Sequence, residues 1–119
     1  MLVYRIQNES GRGPYSFSWG EYVSEGARHP SPYEDSGMAA EWGQKNSNKG
    51  EVNFDYYFGF TDETQLRTWF YRDKWLSMMK ERGLKLTIWE VNATDAIIGH
   101  TQLAFIRERA KLVETRELV

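Results

Sequence analysis

Apolar and polar residues alternate in several short runs along this chain. In "LVYRIQ", Leu2, Tyr4 and Ile6 share one face and predict a strand. The polar, glycine-rich "NESGRGP" that follows is a connection. "YSFSW" sets Tyr15, Phe17 and Trp19 against two serines, again a half-buried strand pattern. From 20 to 50 the periodicity fades. This stretch holds "RHPSPYEDSGM" and the polar turn cluster "GQKNSNKG", with "GMAAEWG" between them suited to a turn or two of helix. So long an irregular connection is either functional or a surface excursion.

Order returns with "EVNFDYYFGF". Val52, Phe54, Tyr56 and Phe58 fall on one face, with Asn53, Asp55 and Tyr57 on the other. The period then changes within a few residues. Thr61 is expected to cap a helix that starts at Asp62 or Glu63, because a hydroxyl oxygen can accept from an otherwise unpaired helix N–H. Asp62 and Glu63 suit the positive end of the dipole, and Leu66, Trp69 and Phe70 form the stripe to be buried. The stripe breaks near Asp73 and resumes at Trp75, Leu76 and Met79, giving two helices or one bent helix. Gly83 stands where a C′ glycine is expected. "LKLTIWEV" is a strand, and "AIIG", "TQLAFI" and "AKLVETREL" are short strands after it. Strands and helices are segregated. That predicts one α+β domain over 1–119 with a mixed or mostly antiparallel sheet and a central helical segment.

The strand-to-helix joint "FGFTDE" has a structural role without further assumptions: it reverses the chain and buries Phe58 or Phe60 under the helix. Gly59 permits a bulge or close backbone approach. A helix N-terminus with Thr61 also suits an anion, although Asp62 and Glu63 already occupy that end.

Composition narrows the classes. In 119 residues the aromatic fraction is 15%, with five Trp, and this richness serves a core or an interface equally. A net charge of -2 makes a nucleic-acid partner unexpected. No apolar run is long enough to span a bilayer, and the first residues lack a signal-peptide core, so the expected location is the cytoplasm. With no Cys there are no disulfides and no thiolate chemistry. His29 lies near Glu34 and Asp35, but without metal-ligand spacing, so a solvated loop histidine is expected and no metal. "FIRERAK" reads as a solvated charged face. Arg5 is a permanent charge within an apolar strand. Its head reaches solvent from an edge or, where that face lines a cleft, anchors a phosphate or carboxylate. Tyr22, Tyr33 and Trp42 have no periodic pattern that assigns them to a core, which makes them candidates for contact with a partner protein.

Taken together, "LVYRIQNESGRGPY", "FGFTDETQLRTWF" and "GHTQLAFIRERAKLV" resemble small accessory proteins of phages and prophages. That resemblance implies a protein that binds and interferes with a host or anti-phage defence protein, without catalysis, in the host cytoplasm. More distantly, the layout is similar to the ADP-ribosyltransferase fold. That likeness implies an NAD-contacting role for Arg5 and the hydroxyl-bearing element at Phe60 and Thr61. The late catalytic position falls at Gln102, where the family has a glutamate. An amide cannot supply the charge of that glutamate, so the second resemblance implies a nucleotide (NAD) site more readily than turnover.

Overall fold

The computed structural model describes residues 1–14, 29–47 and 56–118. The strand expected at 15–19 and the candidate Tyr22 lie outside the described residues. The first strand is β1 (Leu2–Gln7), and helix α1 follows at Ala39–Ser47. After β2 (Tyr56–Gly59) come helices α2 (Glu63–Trp69) and α3 (Asp73–Glu81). The chain ends with β3 (Lys85–Glu90), β4 (Ala96–Ile98), β5 (Leu103–Ile106) and β6 (Lys111–Arg116). The α+β class holds. In place of one sheet, the described residues form two three-stranded sheets, ordered β1-β3-β6 and β2-β5-β4. Every described pairing is antiparallel.

The sheets divide the core into layers. On β1 the alternation sends Ile6 to a cluster with Leu66, Trp69, Phe70, Trp75 and Met79 of α2 and α3 and the stretch between them. Val3, on the opposite face, joins Trp89, Leu103 and Phe105 between the two sheets. The outer face of the second sheet, at Ile97 and Ala104, packs on Met38, with Trp42, Tyr56 and Phe58 around it. The layering is therefore helices, sheet, sheet, helix. Both faces of the central strand β3 are covered, so Thr87 is buried. Its hydroxyl donates to the Arg5 carbonyl at 2.7 Å and accepts from the Trp89 indole at 2.9 Å, as burial of a polar group requires.

One corner joins the sheets. Tyr4 and Phe60 exchange both backbone bonds at 2.8 Å, where the end of β2 runs against β1. A Cβ on Gly59 would stand 2.6 Å from Val3 Cγ1 and 2.9 Å from the Tyr4 carbonyl oxygen. The close approach expected at this glycine is real, and it is Phe60 that enters the helix-side core.

Thr61 does not cap α2. Asp62 does: its carboxylate accepts from the Gln65 N–H at 2.7 Å, and its backbone is extended. Gln65 reaches back to accept from the Thr61 N–H at 2.9 Å and the Thr61 hydroxyl at 3.3 Å, a variation on the capping box. The helix starts at Glu63, and the residue immediately before it is the one whose oxygen meets the third helical N–H. The helical segment breaks into two between Trp69 and Asp73. Gly83, at φ +81°, ends α3 as expected.

The described part of the irregular stretch, 29–47, is more ordered than its sequence suggests. The helix within it runs over nine residues. Met38 and Trp42, one helical turn apart, both pack on the second sheet.

Candidate functional site

Where β1, the end of β2 and the stretch around α2 meet, a cavity of about 460 Å³ opens. Its walls include Phe58, Phe60, Trp69 and Phe70, and its polar groups include Arg5, His29, Glu34 and Gln102. That is the composition of a small-molecule pocket: mostly apolar, with a few placed polar groups, within the ordinary size range.

Arg5 stands on an edge strand and is partly buried, and of the two sequence alternatives it is the cleft-lining one that the structure shows. Its Nε donates to Gln7 Oε1 at 3.0 Å, Nη1 to the Phe58 carbonyl at 2.9 Å and Nη2 to the Gly11 carbonyl at 2.9 Å. The guanidinium lies 4.3 Å from the centre of the Tyr57 ring, a cation–π contact. β2 brings the Phe58 carbonyl, the turn after β1 brings that of Gly11, and Gln7 stands two residues along the same strand. Burial pulls its pKa down to about 10, with Tyr57 raising it and Arg107 lowering it. It stays charged at neutral pH. Among the described residues, no carboxylate pairs with it.

Gln102 is 6% exposed. Its Nε2 donates to the Pro30 carbonyl at 2.8 Å and fastens that stretch to the start of β5. Arg5 and Gln102 thus line one cavity, although 97 positions apart in a chain of 119. Thr61, engaged with Gln65, is not on its wall.

His29 is not the solvated loop histidine that its sequence suggested. It stacks on Trp69 at 4.5 Å between ring centres and meets Phe70 edge-on at 5.3 Å. Its Nε2 lies 2.7 Å from the Trp69 carbonyl oxygen. A carbonyl can only accept, so Nε2 carries the proton. Burial lowers its pKa, against the bond to Trp69, which raises it. Neighbouring Asp35 has a different task. Its two carboxylate oxygens accept from the N–H of Gly37, His100 and Thr101 and from the Thr101 hydroxyl, at 2.7–2.9 Å. This carboxylate clamps the β4–β5 turn to the stretch before α1. Among the described residues, no group of three His, Asp or Glu side chains could hold a metal ion.

The partner-contact candidates separate. Tyr33 is 63% exposed. Trp42 is half-buried against Tyr56 and Phe58, at 5.5 and 5.3 Å between ring centres. Sequence reasoning missed the cavity itself, and noted Glu34 only as a neighbour of His29; the Glu34 Oε1 accepts from the Ser31 N–H at 3.1 Å. The available signal was Arg5 and Gln7 sharing a strand face before a glycine-rich turn. Arg107 also departs from a purely solvated face: it lies 4.9 Å from the Trp89 ring centre and 5.8 Å from that of Tyr57.

Fold and site together define a small α+β protein with a mostly apolar cavity beside a partly buried cation. The chain belongs to the family described as bacteriophage T4 Y00F protein, whose model matches residues 1–119. It is therefore a phage protein. Comparison with curated proteins and with solved structures returns no match. No helix among the described residues is long and apolar enough to cross a membrane.

Proposed function

We propose that this phage protein acts as a non-catalytic binding protein in the host cytoplasm, engaging and inhibiting a host or anti-phage defence protein. The observation that supports it is Tyr33. A tyrosine 63% exposed stands on the turn from Ser31 to Asp35, beside the carboxylate that takes four hydrogen bonds. An exposed aromatic on a fixed turn loses little conformational freedom on docking, which is how interface anchors gain their energy. Capture from host lysate tests the reading. Wild type retains a discrete partner, and Tyr33→Ala loses at least tenfold of it at an unchanged melting temperature. Retention of no partner, or equal retention by the variant, removes the proposal.

A second reading is a nucleotide site of the kind implied by the ADP-ribosyltransferase-like layout. In its favour, Arg5 and Gln102 share a cavity. A ligand that binds the native state raises its apparent stability, so NAD at millimolar concentration is expected to raise the melting temperature. An unchanged transition counts against NAD.

A further inference from the structure

The cavity carries two polar groups that the protein leaves incompletely used. Arg5 has five guanidinium N–H groups, and three are taken by Gln7, Phe58 and Gly11. Two remain, on a partly buried cation without a carboxylate among the described residues. Even a partly buried charge is costly unless compensated. Gln102 is in the complementary situation. Its Nε2 is bonded to Pro30, while its Oε1 has no hydrogen-bond donor among the described residues, although the residue is 6% exposed. Such an orphaned buried acceptor calls for an explanation.

Both residues line the same cavity, whose other described lining residues include four aromatic side chains, Phe58, Phe60, Trp69 and Phe70. We infer that the cavity is a binding site for a small flat ligand bearing one anionic group for Arg5 and one N–H donor for Gln102. The aromatic walls take the flat body, by stacking or edge contacts. This rests on the second reading above only in taking the cavity as a ligand site, and it narrows the ligand. A dinucleotide brings a pyrophosphate, but Arg5 is the one Arg or Lys among the described lining residues, and Glu34 on the wall repels a second negative group. About 460 Å³ suits a compact bicyclic body with one charged substituent. A carboxylate and a phosphate monoester present the same chemistry to Arg5.

Calorimetry on the full chain at low salt tests this with four probes: indole-3-carboxylate, adenosine monophosphate, uncharged indole and NAD. One of the two small anions is expected to bind at one site per chain, at least tenfold more tightly than indole. The carboxylate as the tighter of the two assigns a carboxylate ligand, and the monophosphate a phosphate ester. Arg5→Met abolishes binding, but it also removes three structural hydrogen bonds. Glu34→Gln is the second variant, because it removes a repelling charge without touching Arg5. It is expected to tighten the anion at least threefold, a gain that misfolding cannot produce. Equal affinity for indole, binding of neither small anion, or no gain in Glu34→Gln overturns the inference. Binding of NAD while neither small anion binds overturns it and leaves the nucleotide reading standing.

Discussion

Asp35 shows how much one side chain can decide. Burial alone would raise its carboxyl pKa. The bonds from His100 and Thr101, with that from Gly37, outweigh burial and hold it at about 2. Because the folded value lies below the unfolded one, the stabilisation is present above about pH 4 and lost as pH falls towards 2. Nearly two pKa units correspond to roughly 2 kcal/mol. Urea titrations of wild type and Asp35→Asn are expected to differ by at least that amount at pH 7, and to converge near pH 2. A difference independent of pH would refute the clamp. The helix cap is also decided at this scale. Asp62→Ala is expected to cost about 1 kcal/mol and Thr61→Ala only a few tenths, because Asp62 holds the helical N–H. Chemical denaturation of the two variants checks the order, and the reverse order would restore Thr61 as the cap.

Among the elements, the joint between β2 and α2 does the most to position the site. Phe58 faces the cavity and the α1 side, Gly59 lets the strands touch, and Phe60 bridges to Tyr4 and enters the helix-side core. Any Cβ at Gly59 meets Val3 and the Tyr4 carbonyl, and the backbone there cannot give way without parting the sheets. Gly59→Ala is therefore expected to destabilise by about 1–3 kcal/mol, with a corresponding drop in melting temperature. A neutral effect would mean that the corner is looser than its geometry. The ion pair of Arg116 with Glu63 ties β6 to α2 at the surface, while that with Glu114 lies within β6. Exposed pairs contribute little, so the buried Leu118 side chain does more to hold the C-terminal strand against the core.

Across the whole molecule, the two sheets meet through the layer built on Val3, Trp89, Leu103 and Phe105. Phe105 is fully buried there, and Tyr57 and Trp89 pack at 6.3 and 6.1 Å between ring centres. Phe105→Ala is expected to cost about 3–5 kcal/mol. It would also loosen Tyr57, the ring over Arg5, and so weaken any ligand bound in the cavity. Thermal melts read the first effect and calorimetry the second. Loss of stability with full ligand affinity would separate the inter-sheet layer from the site.

Local signals in the sequence determined the elements. Period-two runs marked β1, β2 and β3, the Leu66–Trp69–Phe70 stripe marked α2, and Gly83 marked the end of α3, because each reflects a constraint within a few residues. The α+β class followed from their order. The pairing of strands into two sheets was a tertiary outcome: alternation says which face is apolar but not which sheet covers it. Trp42 looked unassigned because its apolar partner is Met38 and its surface is the second sheet. Thr61 looked like the cap because two adjacent residues both had the chemistry, and only the backbone geometry at Asp62 chose between them. Arg5 could be singled out as a charge in an apolar strand, and Gln102 through the order of motifs in the resemblance. Their meeting at one cavity required the end of β2 to run against β1, a long-range contact that no local period encodes.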